Sequence, residues 1–265
     1  MKIAILYICT GKYNQFFKGF YKSAEKYFLV GEAEREYYVF TDDMSLSSAS
    51  NVHLNYKKYE GFPMDSLFRF DMFLRVKEEI LKCDYAYFFN ANMQFVARVS
   101  DEFLPKQAEM TAVIHPGKYK TWFLSCLYPY ERNKKSLAYI APYEGNYQYF
   151  MGSLNGGTSK AFVAFAEECS KRTHIDYDNG IIAMVHDESH LNRYMRDVHG
   201  EGLSTEYAYP EGWNLPFRPK IIIRDKVKAF PECNDFTKGR NTSIKGRFLK
   251  VCRMLKRAVR WYLKY

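Results

Sequence analysis

An apolar strand that ends abruptly in two amide side chains, within residues 85–92, most constrains the fold of this chain. Residues 85–89 are aromatic or apolar throughout, a short run that is typical of a buried strand. Asn90 and Asn92 follow two residues apart, and extended backbone would send both side chains to one side. In an open α/β sheet, ligands bind beyond the carboxyl ends of such strands. The other interpretation is a strand followed by an ordinary Asn-rich turn.

The amide side chains also restrict what such a site could bind. An acidic pair at the same spacing would indicate a site for a metal ion and a nucleotide sugar. Amides supply hydrogen-bond donors and acceptors without charge, so they bind a divalent ion poorly and a hydroxylated ligand well. As a ligand site, the pattern therefore favours a hydroxylated ligand over a divalent metal ion.

Alternating strands and helices indicate an α/β fold. Strands are predicted at residues 3–8, 37–41, 85–89, 111–115 and 221–223, and helices at 16–28, 65–81, 159–171, near 179–184 and from residue 186. The first strand is apolar throughout, which predicts a parallel strand buried on both faces. The chain is long enough for one large domain, which we assign to residues 1–237, followed by a basic tail at 238–265.

Several predicted strands and turns carry side chains suited to a nucleotide. Tyr13 follows a glycine turn after the first strand, where a base or ribose could stack and turn amides could meet a phosphate. Arg224, Lys226 and Lys228 follow the last strand, and cations at a sheet edge suit a diphosphate. His115 also ends a strand, either as a ligand contact or as a satisfied buried histidine.

Residues 186–190 gather two carboxylates and two imidazoles at a predicted helix start. Asp187 and Glu188 would favour a helix N-terminus in any protein. In a cleft, Glu188 could instead act as a nucleophile or as an anion facing a cationic sugar centre. Zinc is disfavoured because His186 and His190 lack the HExxH order. Glycines at 152, 156 and 157 predict places where backbone approaches a ligand closely.

The basic charge of the chain is a property of its tail. The formal net charge is +9, and residues 238–265 hold ten of the 39 Lys and Arg with no Asp or Glu. Residues 244–264 predict one helix with an apolar stripe of Ile244, Phe248, Val251, Cys252, Leu255, Val259 and Tyr262 between cationic flanks. This pattern is typical of an anchor on an anionic membrane surface. The alternative is a helix docked on its own body, and nucleic-acid binding by the nearly neutral body is not indicated.

Cysteine usage predicts the compartment. The six cysteines are scattered without a CxxC pair or metal-ligand spacing, which fits reduced thiols in the cytosol. The short apolar run near the start is better explained as a first strand than as a signal peptide, and no run approaches membrane-spanning length. We therefore expect a cytoplasmic protein that is peripheral on the inner membrane face.

Several short motifs together carry a family resemblance. In chain order they are Tyr7-Ile8-Cys9-Thr10-Gly11-Lys12-Tyr13, Tyr37-Tyr38-Val39-Phe40-Thr41-Asp42, Phe88-Phe89-Asn90-Ala91-Asn92, His115-Pro116-Gly117, Tyr130-Glu131-Arg132, Gly156-Gly157 and His186-Asp187-Glu188-Ser189. They resemble glycosyltransferase family 6, the retaining family of the blood-group A and B transferases and their bacterial relatives. The resemblance implies a GT-A (Rossmann-like) mixed sheet flanked by helices. It also implies transfer of galactose or N-acetylgalactosamine from a UDP-sugar, α1,3-linked, to a galactose-terminated glycan, with or without fucose.

The resemblance further implies roles for single residues. Donor contacts are implied for Ile8, Tyr13, Arg69, Asn90, Asn92, Met151, Ser153, Asp187 and Lys226, and acceptor contacts for His115, Trp213 and Glu188. Glu188 matches the proposed catalytic carboxylate. Asn90 and Asn92 stand where the animal enzymes have an Asp-x-Asp that holds manganese, so we expect no metal cofactor. A non-catalytic sugar-binding protein with the same cleft is the competing interpretation.

Overall fold

A computed structural model of the chain describes residues 1–119, 122–145, 147–231 and 244–263. Its main feature is a seven-stranded mixed sheet in the order β3-β2-β1-β4-β7-β6-β8. The strands are β1 (Lys2–Ile8), β2 (Glu34–Thr41), β3 (Val52–Tyr56), β4 (Tyr85–Asn90), β6 (Met110–Ile114), β7 (Phe150–Thr158) and β8 (Glu201–Leu203). A second sheet joins β5 (Met93–Phe95), β10 (Ile221–Ile223) and β9 (Tyr209–Pro210).

Helices cover both faces of the large sheet. They are α1 (Asn14–Tyr27), α2 (Met64–Leu67), α3 (Arg69–Leu74), α4 (Lys77–Ile80), α5 (Ser159–Asp178), α6 (Asp187–Asp197), α7 (Lys226–Ala229) and α8 (Ile244–Leu263). Alternate residues of β1 enter different layers: Tyr7 packs with Phe20 of α1, and Leu6 lies in the layer of Phe73 and Phe162. The α/β class and the doubly buried first strand are confirmed.

The pairing pattern brings several strand ends to one edge of the sheet. Strands β1 to β4 are mutually parallel where they pair, and Ile8 lies opposite Asn90 in the register. Strand β7 is antiparallel to both β4 and β6, so its beginning lies near the carboxyl end of β4. Residues 151–153 therefore reach the same edge as Ile8 and Asn90.

Strand β7 was not predicted, because its glycines lower the strand propensity of the segment. The structure gives these glycines a packing role. A Cβ at Gly156 would lie 2.2 Å from the Tyr87 ring, and one at Gly157 would lie 2.0 Å from the Glu109 carbonyl oxygen. The prediction that they approach a ligand is wrong for these two, because they allow close packing of strands instead.

Two helix predictions also need correction. The predicted helix over 65–81 is three short helices, α2 to α4. The predicted helix near 179–184 is absent from the described backbone, where α5 runs on to Asp178. Gly180 follows with φ of +70°, a left-handed conformation that ends helices readily. Strand β3 was also missed.

The tail helix α8 confirms the predicted helix up to residue 263, and Lys264 lies outside the described residues. The helix docks on the body through Trp261, which is 4% exposed and packs against Tyr130 and Tyr147. The Trp261 Nε1–H donates to the Ile140 carbonyl at 2.9 Å. Of the helices in the described part of the chain, none is long and apolar enough to cross a membrane.

Candidate active site

The two asparagines at the end of β4 turn to the same side, as their spacing predicts. The Asn90 Nδ2 donates to Asn92 Oδ1 at 3.2 Å, and the Asn92 Nδ2 donates to the Arg224 carbonyl at 2.8 Å. Asn92 is buried, and Asn90 is half-buried at the rim. The pair therefore ties the segment after β10 to the carboxyl edge of the large sheet.

That segment carries cations toward the turn after β1. The Lys226 Nζ donates to the Tyr13 hydroxyl at 2.8 Å and lies 5.0 Å from the centre of its ring. The Arg224 guanidinium lies 5.7 Å from the centre of the Phe16 ring. Lys228 is separate, since it pairs with Glu211 at 3.2 Å and is 73% exposed. Arg224 and Lys226, rather than Lys228, form the cationic group beside Tyr13.

Asp42 fixes the turn between β1 and α1. Its carboxylate accepts the Gly11 N–H at 2.9 Å and the Asn14 Nδ2 at 2.8 Å. The Gly11 amide is thereby engaged, which removes it from the turn amides that we predicted for a phosphate.

Glu188, in the first turn of α6, is held by two donors from β7 and the residue before it. The Tyr149 hydroxyl donates to Glu188 Oε1 at 2.5 Å, and the Gly152 N–H donates to Oε2 at 2.7 Å. Asn192, one turn later, accepts the Phe150 N–H and donates to the Phe150 carbonyl, both at 2.9 Å. These bonds fix α6 against the start of β7, so the carboxylate has one defined position.

Asp187 forms a buried ion pair with Arg69 of α3. The Arg69 Nη1 lies 3.0 Å from Asp187 Oδ2 and donates to the Gly152 carbonyl at 2.9 Å. The guanidinium also lies 4.7 Å from the centre of the Phe88 ring. A side chain at Gly152 would be crowded, because a Cβ would lie 3.0 Å from Asp187 Oδ2. Met151 and Ser153 flank this glycine, Met151 half-buried and Ser153 buried.

Burial controls the protonation of both carboxyl groups. Burial raises the pKa of Glu188 to about 7, although the Gly152 and Tyr149 hydrogen bonds oppose the rise. Burial also raises the pKa of Asp187 to about 6, with the Arg69 charge acting in the opposite direction. A carboxyl pKa shifted this far upward is a frequent property of catalytic sites.

His115 lies against Tyr149, and Trp213 lies close to Gly117 in the turn after His115. The His115 ring is 5.8 Å from the Tyr149 ring, and its Nδ1 accepts the Gly117 N–H at 3.0 Å. Burial, helped by the Lys118 charge, lowers the pKa of His115 to about 4, so the imidazole is neutral near pH 7. Trp213 is 51% exposed, and a Cβ at Gly117 would lie 3.8 Å from its ring. Of the predicted acceptor residues, His115 is therefore linked to the Glu188 carboxylate through Tyr149.

The residues around Tyr13 and Asn90 and those around Glu188 are joined in two ways. Phe88, which contacts Arg69, and Asn90 are two residues apart on β4 and share one face of the sheet. Residues 57–65 form a second link that sequence reasoning missed. Asp65 accepts from Gly61 N at 3.0 Å and from Thr10 Oγ1 at 3.3 Å, while the Phe62 ring packs 4.8 Å from His186. His186 itself has a φ of 51°, a strained conformation that concentrates at functional sites.

The residues at the end of β4 do not fit a divalent cation. Such ions need several oxygen ligands, with carboxylates prominent among them. Asn92 already uses its oxygen for Asn90 and its amide nitrogen for Arg224. Among the described residues, no three His, Cys, Asp or Glu side chains cluster in a way that could hold a metal ion.

We expect the Tyr149→Phe variant to retain activity but to shift its pH dependence upward. The hydroxyl stabilises ionised Glu188, so its removal should raise the pKa of that carboxyl above about 7. With the carboxylate as the active form, the wild-type rate falls as the pH drops through about 7, and the rate of the variant begins to fall at a higher pH. Profiles of kcat/KM against pH measure this; Tyr139→Phe is the matched control. Superimposable profiles for Tyr149→Phe and wild type would contradict it.

Comparison with known proteins gives one consistent group. Residues 1–229 match the family described as Glycosyltransferase family 6. The O-antigen biosynthesis glycosyltransferase WbnI of Escherichia coli is 38% identical over 86% of this chain and 96% of its own length. The globoside alpha-1,3-N-acetylgalactosaminyltransferase 1 of Gallus gallus is 32% identical over 84% of this chain and 65% of its own. The histo-blood group ABO system transferase 1 of Rattus norvegicus is 31% identical over 87% of this chain and 66% of its own length.

Proposed function

The chain belongs to glycosyltransferase family 6, and we propose that it transfers galactose or N-acetylgalactosamine from a UDP-sugar to a galactose-terminated glycan. The proposed linkage is α1,3, with retention at the anomeric carbon. The observation that carries this proposal is the half-buried Glu188 carboxylate, fixed by Tyr149 and Gly152 beside the Arg69–Asp187 pair. A panel of UDP-sugars against a few galactosides, fucosylated and not, tests it directly.

In the proposed mechanism, the cationic group receives the leaving diphosphate. As the bond to the anomeric carbon breaks, negative charge grows on the diphosphate near Lys226 and Arg224, where fixed cations stabilise it. Positive charge grows on the anomeric carbon and is met by the Glu188 carboxylate. Glu188 either bonds covalently to that carbon or stabilises it electrostatically, and both routes need the ionised form. Ile8 and Tyr13 are the proposed contacts of the uracil.

We expect transfer to be independent of metal ions. The neutral amides of Asn90 and Asn92 cannot take the place of carboxylates around a divalent ion. Lys226 and Arg224 instead supply permanent positive charge for the diphosphate. Adding a strong chelator should leave kcat/KM unchanged, and manganese added afterwards should not raise it. The matched control is the chelated buffer with its divalent ions restored. Loss of turnover with chelator and its recovery with manganese would contradict the proposal.

The side chains beside Gly152 favour galactose as the donor sugar. Met151 and Ser153 are bulkier than a glycine pair and leave less room for a 2-acetamido group. Relative kcat/KM values for UDP-galactose and UDP-N-acetylgalactosamine decide the preference. A variant with glycine at both positions should move it toward N-acetylgalactosamine.

The competing function is a non-catalytic sugar-binding protein. The buried Arg69–Asp187 pair and the doubly hydrogen-bonded Glu188 argue against it, because holding charged groups out of water costs free energy that simple sugar binding does not require. Slow hydrolysis of the UDP-sugar without an acceptor would exclude this alternative.

We also propose that the protein lies on the cytoplasmic face of the inner membrane, through α8. Val251, Leu255 and Val259 are 46%, 50% and 57% exposed, although the helix is docked at Trp261. Spaced by four residues, they form one apolar stripe beside the cations of the helix. Free cysteines at 9, 83, 126, 169 and 252 suit a reducing compartment. Vesicles with anionic lipid should sediment the full chain.

A further inference from the structure

The tyrosine that donates to Glu188 packs outside the two large cores of the protein. Tyr149 is 1% exposed and belongs to a separate apolar cluster. The fully buried members of that cluster are Tyr128, Tyr130, Ile140, Tyr149 and Trp261. Between residues 128 and 149, the described backbone forms no helix or strand. Trp261 is the one buried member that comes from a helix, α8, so an otherwise irregular segment packs against the tail.

The docking face of α8 is directed at this cluster. Ala258 and Trp261 are 6% and 4% exposed, and Met254, one turn earlier, is half-buried. Spacings of four and three residues place these three side chains on one face of the helix. Leu255 and Val259, which are 50% and 57% exposed, lie outside this face. The helix can therefore stay docked while its apolar stripe remains exposed.

Trp261 is held in one orientation within the cluster. Its Nε1–H donates to the Ile140 carbonyl at 2.9 Å, and the Arg132 guanidinium lies 4.9 Å from the centre of one of its rings. A directional hydrogen bond and a cation over the ring fix both the depth and the tilt of the indole. The contact is therefore specific, unlike a loose apolar association.

A short series of contacts leads from this indole to the carboxylate. The Trp261 ring lies 6.3 Å from the Tyr130 ring, which lies 5.4 Å from the Tyr149 ring. The Tyr149 hydroxyl then donates to Glu188 Oε1 at 2.5 Å. Close-packed rings do not shift independently of one another. The position of the Tyr149 hydroxyl therefore depends on the packing that Trp261 completes.

The tail also contacts the backbone that leads into Glu188. The Arg257 Nη1 donates to the Met184 sulfur at 3.0 Å, and the Met184 N–H donates to Glu131 Oε2 at 2.5 Å. Two residues later, His186 has its left-handed φ of 51°. Such a conformation persists only where the surroundings hold the backbone firmly. Helix α8 thus supports both the hydrogen-bond partner of Glu188 and the segment before it.

We propose that Trp261 is a positioning residue for sugar transfer, which keeps the Tyr149 hydroxyl bonded to Glu188. The proposal rests on the proposed role of Glu188 in the transfer reaction. The match to the family ends at residue 229, so this support comes from the tail that follows the matched residues. In addition to membrane attachment, the tail would then complete the active site.

The Trp261→Ala variant of the full chain tests this with a soluble galactoside and no vesicles. We expect kcat to fall roughly ten-fold, because a misplaced catalytic group slows the reaction. Calorimetric titration should show nearly unchanged UDP binding, which also shows that the body is folded. Loosening the Tyr149 bond removes a stabiliser of ionised Glu188, so the fall of kcat/KM on the acid side should move upward by about half a pH unit.

Further variants separate positioning from mere packing. Trp261→Phe keeps a packed ring and should restore most of the wild-type profile. Tyr21→Ala removes an α1 aromatic that packs on Phe17 and Tyr37, outside the cluster, and should leave the acid side of the profile in place. In a Tyr149→Phe background, Trp261→Ala should move the profile no further, because the hydroxyl is already absent. An unmoved profile in Trp261→Ala, or an equal further shift in that background, would overturn the proposal.

A measurement without turnover distinguishes this proposal from the proposed enzyme function. Carbon-13 NMR of protein labelled at the glutamate carboxyl carbon follows the ionisation of Glu188, whose signal is identified by its loss in Glu188→Gln. The midpoint should be higher in Trp261→Ala than in wild type. Trp261→Leu keeps more apolar volume, so it should unfold less readily and shift the midpoint in the same direction. An unchanged midpoint in both variants would overturn the positioning role, whereas absence of transfer by the wild type would contradict only the enzyme function.

Discussion

The Glu188→Gln variant should lose sugar transfer by roughly 1,000-fold or more while binding UDP almost normally. The amide keeps the shape of the side chain, and its oxygen can still accept the Gly152 N–H while its NH₂ faces the Tyr149 hydroxyl. Only the negative charge is removed, and in the proposed mechanism that charge stabilises the developing cation at the anomeric carbon. Single-turnover rates and calorimetric titration of UDP measure the two effects separately.

The matched control for this variant is Glu78→Gln, an exposed glutamate on α4, which should behave as wild type. Turnover of Glu188→Gln near the wild-type rate would remove Glu188 from the mechanism. Unchanged thermal unfolding, or a slight gain in stability, is expected, because the substitution neutralises a half-buried carboxyl whose pKa is already raised to about 7.

The Arg69→Met variant should be the most destabilising of the site substitutions. Arg69 is 9% exposed and its partner Asp187 is 6% exposed, so the substitution leaves a buried carboxylate without its cation. Breaking one side of such a pair costs roughly 3–5 kcal/mol in the free energy of unfolding. Urea unfolding at neutral pH measures this loss, and transfer activity should fall with it because Gly152 loses its second anchor.

The loss of stability in Arg69→Met should depend on pH and on its partner Asp187. Removing Arg69 raises the pKa of Asp187 further, so Asp187 takes up a proton as the pH falls and the destabilisation shrinks toward acid pH. The double variant Arg69→Met with Asp187→Asn should recover most of the stability without recovering activity. Arg98→Met, which breaks an exposed pair with Glu32, is the control and should cost about 0.5 kcal/mol. If the free-energy losses of Arg69→Met and Asp187→Asn simply added up in the double variant, the prediction that the two side chains stabilise each other would be contradicted.

Several features of the site could be predicted from sequence because they depend on neighbouring residues alone. Residues 3–8 and 85–89 are apolar over the length of a strand, and such runs are buried in almost any context. The spacing of Asn90 and Asn92 fixes their common side through the geometry of extended backbone. The polar residues that follow strands mark the sheet edge for the same local reason.

What the sequence did not indicate is how the side chains are paired. Tyr149 was not singled out, although its hydroxyl bonds Glu188, which is 39 positions away. Asp65 was predicted only as part of a helix and Phe62 was not singled out, whereas they link the β1 turn to His186. A rich aromatic composition hides such residues, because many of the tyrosines are ordinary core side chains.

The chain by itself determined which segments are buried, which strand ends are polar, and that the tail is a cationic amphipathic helix, since each of these follows from periodicity over a few residues. Only the tertiary structure decided that Arg69 neutralises Asp187, that Tyr149 and Gly152 fix Glu188, and that Trp261 docks the tail while Leu255 stays exposed. The reason is that polarity is a local property, whereas the choice of partner is made when distant segments compete for the same buried space.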